Sequence, residues 1–428
     1  MSARTTKSDN RKNAGRKTSD SRNLVQMLLL TVLLGAFAGL VIWSFLKLVA
    51  LCTGLVWETI PALAGGRTIT ILLCALGGLA AGILRKIFGD YPESLDTVMG
   101  RIKKDHHYAY HPMFVMLVCA FLPLVFGASV GPEAGLAGII AALCYWVGDN
   151  VTFAKQNMDL YSRVGEAVTL GHLFHSPLFG ILAVEEEEGQ LVPERMPKSF
   201  RLVLYALSTA SGFSVIWLLN ALFGKAMAGF PGFSEVPVST IDGALVLVYI
   251  PAGCLLFLFY EGCEAAMGKA ARILPPILKE TLCGLGIGLC GLVCPMILFS
   301  GEEQMAELIR DNGGYAVLFL AGVCLLKLAM TSFCLQFGLK GGHFFPMIFA
   351  CTCMGYALGA LFFGGAAGHA AFAAGIITAA ALGAQLKKPL AVTVLLLLCF
   401  PPRFLLWGFI SAAVGSGLAG MLEKRKRT

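Results

Sequence analysis

A chain of 428 residues, 57% hydrophobic and 14% charged with a mean hydropathy of +0.75, stands far from the roughly 25% charged residues of a soluble domain. The formal net charge of +7 gathers at the ends, +5 over Met1–Arg22 and +3 over Glu423–Thr428, leaving the middle about neutral. This excludes an ordinary soluble protein, argues against nucleic-acid binding, and by the positive-inside rule puts both termini in the cytoplasm with an even number of crossings.

Residues 1–23 read as a disordered basic cytoplasmic tail, 24–422 as one transmembrane domain, and 423–428 as a second basic tail. Apolar runs long enough to span, each of about 20 residues, are expected over Leu24–Val56, Thr68–Ile87, Met113–Val147, Val164–Val184 and Leu202–Phe223. Further runs cover Ala244–Met267, Leu282–Phe299, Ala316–Leu335, Phe344–Phe363, Phe372–Leu386 and Leu390–Leu422. Fifty glycines and 18 prolines interrupt them, so the helices should be tilted and broken where backbone is buried or lines a watery cavity. The first apolar run is too long for a cleaved signal peptide and lacks a small-residue cleavage site. Fourteen cysteines, with no CxxC pairs, lie almost wholly in apolar spans and read as small core residues, with no structural disulfide or zinc site.

Three stretches break the apolar grammar. In FGASVGPEAGLAGII, Phe126–Ile140, one acid, Glu133, lies between Gly131 and Gly135. Gly131-Pro132 reads as a chain break followed by a new helix, whose first turn points free N–H groups and the positive dipole end at whatever precedes it. Such an end binds anions. Glu133 is then either a competing carboxylate or only a helix cap. KGGHFFPMIFACTCMG, Lys340–Gly355, repeats this: Gly341-Gly342 breaks the chain, Pro346 opens an apolar helix, and the amides of Phe344 and Phe345 are left to face a ligand or, on the plainer reading, belong to a kinked helix. In HSPLFGILAVEEEEGQ, His175–Gln190, a helix runs into four glutamates; most should be a solvated face, but a partly buried one can carry protons.

Pro177 follows Gly131 by 46 positions and Pro389 follows Gly342 by 47, opening the similar phrases PLFGILAV and PLAVTVLL. Two related halves are therefore expected, about 24–225 and 240–422. Inverted repeats commonly place a site at their interface.

These residues resemble the CLC family of chloride channels and proton-coupled chloride antiporters. Gly131-Pro132-Glu133-Ala134-Gly135 is similar to the family's Gly-x-Glu-Gly-Pro element, with Pro for a basic residue and Ala-Gly for Gly-Pro. Gly342-His343-Phe344-Phe345-Pro346 matches Gly-x-Phe-x-Pro without exception, and PLFGILAVEEE is similar to the Pro-Leu-x-Gly-x-Leu segment whose two acids fall on Glu186 and Glu187. Phe88-Gly89-Asp90-Tyr91-Pro92-Glu93 matches the early Gly-Ser-Gly-Ile-Pro-Glu element only in part, without its serine. No residue matches the family's inner-gate tyrosine, and no cytoplasmic nucleotide-binding tail is read.

The resemblance implies an all-α polytopic fold of two inverted halves, and a multi-pass homodimer in the plasma membrane with one pathway per subunit. It implies chloride and protons as the partners of transport, with no organic cofactor. Glu133 would be the gating glutamate. Backbone amides around Gly131, Pro132, Ala134, Gly342, His343, Phe344 and Phe345 would hold the anion, and Glu187, with Glu186 next, would pass protons. The absent serine and tyrosine imply a wider inner gate and looser coupling. A passive chloride channel and a fluoride-selective exporter are the alternatives within the family. A cation-coupled transporter using Glu133 or Asp90 is more distant. An intramembrane metal enzyme built on His106–His111 would lack the HExxH helical spacing, so no metal site and no enzymatic activity are expected.

Overall fold

The computed structural model describes residues 3–427 apart from 65–67, 94, 106, 152–157, 175, 187–196, 227–230, 234–235, 237, 312–313, 365–366 and 398. Among these residues there is no strand, only helices, turns and one isolated two-residue bridge. The first half contains α1 (Ala3–Gly54), α2 (Ile60–Ala64), α3 (Ile69–Phe88), α4 (Leu95–Asp105), α5 (Met113–Val125), α6 (Glu133–Asn150), α7 (Met158–Leu173), α8 (Pro177–Glu185) and α9 (Lys198–Phe223). The second contains α10 (Thr240–Ala271), α11 (Pro276–Val293), α12 (Glu302–Arg310), α13 (Val317–Phe337), α14 (Phe344–Phe363), α15 (Ala367–Leu386), α16 (Pro389–Leu396) and α17 (Leu405–Arg427).

Three expected spans are each two helices. Met113–Val147 parts between α5 and α6 at Gly127 to Pro132, Val164–Val184 between α7 and α8 ahead of Pro177, and Leu390–Leu422 between α16 and α17 at Pro401-Pro402. Proline, which lacks an N–H, starts a helix more readily than it continues one. A second difference lies at the N-terminus: α1 runs unbroken from Ala3, so the backbone of the expected disordered tail is helical. Extending an existing helix avoids the cost of nucleating one.

Among the described residues, nine helices are long and apolar enough to cross a membrane, with Met113–Val125 and Glu133–Val147 as shorter apolar ones. The chain is a multi-pass membrane protein. α14 and α15 are the most buried of the long helices, while α9, α17 and α10 expose large apolar side chains such as Trp217, Phe409 and Leu247 outward, as lipid-facing helices must. Where α3 crosses α11, glycines set the approach. A Cβ at Gly284 would strike the Cys74 carbonyl and one at Gly78 the carbonyl of Glu280, so small residues let two backbones meet where apolar burial alone gives no drive.

The halves repeat in order. Each has a long helix pair followed by a short helix, a broken pair, and a short helix with proline at its first position: α4, α5–α6 and α8 in one, α12, α13–α14 and α16 in the other. α8 packs on α16, and α3 on α11. The breaks within the two pairs, between α5 and α6 and between α13 and α14, meet each other.

Candidate functional site

The convergence is a pair of backbone hydrogen bonds. Gly131 N–H donates to the Gly342 carbonyl at 2.8 Å and Gly342 N–H donates back to the Gly131 carbonyl at 2.7 Å, an antiparallel bridge between the residues that lead into α6 and α14. Equivalent positions pairing antiparallel is what an inverted repeat produces. The same bridge corrects two expectations: the amides of Gly131 and Gly342 are spent on each other and are not free for an anion. Pro132, also expected among the anion-binding amides, has no N–H to offer. It serves as the N-cap of α6.

The carboxylate of Glu133 lies in the space between the two bridged glycines. A Cβ on Gly131 would collide with its Oε2, and one on Gly342 with its Cδ and Oε1. Its Oε1 accepts from Phe344 N–H at 2.9 Å, and the amides of Phe345 and of Glu133 itself also face the carboxylate. Thus α14 begins as expected, with free first-turn donors, and its dipole end is occupied by a side chain from the opposite half. Of the expected site residues, Glu133, Phe344 and Phe345 come together at one point. Ala134 is buried one residue into α6, and His343 is the N-cap of α14 beside Tyr260, ring centroids 5.7 Å apart.

Glu133 is 2% exposed. Aromatic rings enclose the α14 start: Phe174 stacks on Phe345 at 5.1 Å and lies 5.9 Å from Phe344 and 4.9 Å from Phe179. No hydroxyl ligand was expected in this region, and besides the Glu133 carboxylate the rings packed on Phe344 and Phe345 are those of Phe174 and His343. Phe174 was missed in the sequence, where a phenylalanine at the end of an apolar run carries no signal.

Two loops flank this centre, one in each half. Before α4, the segment with the partial Gly-Ser-Gly-Ile-Pro-Glu match is pinned by charge. Arg85 bonds Asp90 at 2.6 Å and the wholly buried Glu280 at 2.8 Å, and Lys340, just ahead of Gly341-Gly342, bonds Asp90 at 2.9 Å. Glu93 pairs with Arg101 at 2.7 Å and accepts from the Tyr108 hydroxyl at 3.2 Å. Burial, then the Glu93 charge, raise the Tyr108 hydroxyl above its ordinary range. Before α12, the pinning group is the buried Lys327, whose amine donates to the carbonyls of Ile297, Leu298 and Phe299 at 2.9, 3.1 and 2.7 Å. Its amine faces carbonyl dipoles and also lies over the Phe349 ring, 5.5 Å from the centroid.

The acids after α8 divide. Glu185 is buried and paired with Arg201 at 2.8 Å, with Lys198 at 3.6 Å. Glu186, expected to pass protons, accepts from Leu390 N–H and Ala391 N–H at 3.2 and 2.9 Å and so caps α16. That contact ties the two proline-led helices together. Glu187, the first choice for proton transfer, lies outside the described residues, as does His106. His107 pairs with Asp149 at 3.2 Å.

A sequence profile described as voltage-gated chloride channel matches residues 77–420. The chloride channel protein CLC-e of Arabidopsis thaliana is 26% identical over 76% of this chain, which spans about half (48%) of that relative's length. The voltage-gated ClC-type chloride channel ClcB of Shigella flexneri is 26% identical over 68% of each chain. Among solved structures, a slow cyanobacterial Cl⁻/H⁺ antiporter superposes with a TM-score of 0.76 at 19% identity, covering 92% of this chain and 94% of that one. A CLC-type fluoride/proton antiporter gives 0.71 at 18%, covering 92% and 95%.

Proposed function

Since the chain belongs to the voltage-gated chloride channel family and is an anion-transporting membrane protein of that fold, we propose that it is a chloride/proton antiporter gated by Glu133. One observation carries the reading: the Glu133 carboxylate lies on the first-turn amides of α14. An anion and a carboxylate seek the same oriented donors. A proton on the carboxyl removes its charge but not the anion's, so protonation frees the amides for the anion and deprotonation closes them again. Exchange of one for the other couples the two movements in opposite directions. The likeness to two proton-coupled antiporters supports the same reading.

The pathway runs through one subunit of a homodimer in the plasma membrane, with both termini on the cytoplasmic side. The chain is a transporter rather than an enzyme. Proton delivery from the inner side is assigned to Glu187, because Glu186 is held as a cap on α16. Chloride is preferred over fluoride as the substrate because the phenylalanine rings around the amides are apolar and large, a setting suited to an anion that sheds its water more easily.

The test is flux through the purified chain in liposomes, with chloride and pH recorded together. A chloride gradient should drive protons uphill, and the Glu187→Gln variant should keep chloride flux while losing proton movement. Chloride flux without protons in the unmodified chain would replace this reading with the passive channel, and faster fluoride than chloride exchange would replace the substrate.

A further inference from the structure

The proposed gate stands at the end of a short stretch of chain, and that stretch is tied down. Between α5 and α6 the backbone is not helical, and from Val125 to Gly131 every second residue is bound to a different element. The Val125 carbonyl accepts from the Trp57 indole Nε1–H at 2.8 Å, and the Gly127 carbonyl from Phe299 N–H, in the loop before α12, at 3.3 Å. The Ser129 hydroxyl bonds that of Thr331 on α13 at 3.2 Å, and Gly131 forms its bridge with Gly342. Phe299, Thr331 and Gly342 belong to the second half. Trp57 alone of the four comes from the first.

The local backbone turns Trp57 toward this contact. After α1 the helix widens over Leu55–Thr59, where Ile60 N–H reaches the Leu55 carbonyl; such π turns interrupt the α-helical register and are frequent at functional sites. The indole meets the loop at a second point. Gly127 has φ +80°, and a Cβ there would lie 2.8 Å from Trp57 Cζ2, so the ring occupies the space of the side chain that Gly127 lacks. The ring also meets that of Phe299 edge-on, with centroids 5.1 Å apart, and Phe299 is the residue whose N–H holds Gly127 and whose carbonyl is held by Lys327. One side chain therefore touches two of the four ties.

We propose that Trp57 is a positioning residue for the Glu133 gate: through Val125 and Gly127 it fixes the chain ahead of α6, and with it the seat of the carboxylate on the Phe344 amide. Glu133 lies two residues beyond the last tie, so a shift of the loop passes to the carboxylate, and hydrogen bonds weaken steeply with misalignment. Loss of the indole donor loosens that seat. The carboxylate then competes less well with the anion, and it takes up a proton at higher pH because its charged form has lost stabilisation. Both effects keep the pathway open to higher pH. Tyr260 on α10 and Glu302 on α12 are the titratable groups of neighbouring elements whose charge acts on Glu133, and both are retained in the variants below. The inference deepens the gating reading and rests on it.

The experiment records chloride flux of the full chain in liposomes against external pH. In the unmodified chain flux should fall as pH rises, and Glu133→Gln should abolish that dependence; an unmodified chain without it overturns the gating reading and this inference together. Trp57→Phe, which keeps a ring and deletes the donor, should carry the profile upward by about half to one pH unit, the worth of a seat weakened about threefold to tenfold. Trp43→Phe deletes another indole donor of α1, 2.7 Å from the Asn220 side chain, and should leave the profile in place whatever it does to the melting temperature. Added to Glu133→Gln, Trp57→Phe should change nothing, because its effect passes through the carboxylate. An unmoved profile in folded Trp57→Phe, the same displacement in Trp43→Phe, or an equal change of flux with and without the Glu133 carboxylate overturns the inference alone. If Trp57→Phe does not fold, benzothienylalanine at position 57, which replaces only the indole N–H by sulfur, decides: a displaced profile supports the assignment and an unmoved one overturns it.

Discussion

The two broken helix pairs occupy equivalent places in the two halves, yet they bring opposite chemistry to the centre. At α6 the first residue is an acid, Glu133; at α14 it is Phe344, whose side chain offers nothing polar and whose amide is the donor. The flanking loops differ in the same sense. Before α4 the pinning is by ion pairs at a partly exposed surface, and before α12 by one buried lysine on three carbonyls. A repeated backbone therefore supplies two helix ends, and the one acid among their first residues lays a carboxylate from one end on the amides of the other. An architecture with two identical ends would bind an anion but would have nothing to couple it to a proton.

The comparison breaks most sharply if the carboxylate is denied its place. In Gly342→Ala the new methyl would occupy the position of the Glu133 carboxylate, and close packing leaves no room for both. Anion flux should continue with its external pH dependence abolished, and proton movement should fall by about tenfold or more. Retained coupling in that variant, with the protein folded, would show that the carboxylate works elsewhere.

The next effect concerns the donor end. Phe345→Pro deletes one amide facing the site, and a lost hydrogen bond to a charged group of about 1.5–3 kcal/mol weakens chloride binding by about tenfold or more. Phe345→Leu and Phe344→Leu keep the amides and should bind nearly as the unmodified chain does. Calorimetry on the three variants separates backbone from side chain, and equal affinities would put the anion at another place.

The loops sharpen the comparison at smaller scale. Lys327→Met strands three buried carbonyls, each costing about 1–3 kcal/mol, and should lower the melting temperature in detergent by many degrees. Asp90→Asn breaks ion pairs whose acid is half exposed, worth about 1 kcal/mol or less, and should shift it little. A larger loss in Asp90→Asn would reverse the assignment of which loop is rigid.

How much of this was legible in the sequence follows from the kind of contact. Gly131-Pro132-Glu133 and Gly342 to Pro346 were readable because a helix start is a local event, written in glycine, proline and the residue after them. What each start faces was not. The pairing of Gly131 with Gly342, which removes both amides from the anion's reach, joins residues more than two hundred positions apart, and no local pattern encodes it. The acid run shows the same limit. Four consecutive glutamates announce charge, but only the fold sends Glu185 to Arg201 and Glu186 to the α16 amides. Lys327 escaped notice because a lone charge in an apolar run carries no hint of the carbonyls it will meet. The apolar run Met113–Val147 holds two helices because composition stays apolar across the break that Gly131-Pro132 announces.

The central claim is that Glu133 and the anion compete for the same α14 amides, and chloride binding as a function of pH tests it most directly. Deprotonated Glu133 competes and protonated Glu133 does not, so in the unmodified chain affinity should rise as pH falls. In Glu133→Gln, where the side chain stays neutral, affinity should match the low-pH value at every pH. A Glu133→Gln chain that keeps the pH dependence of the unmodified one would contradict the account.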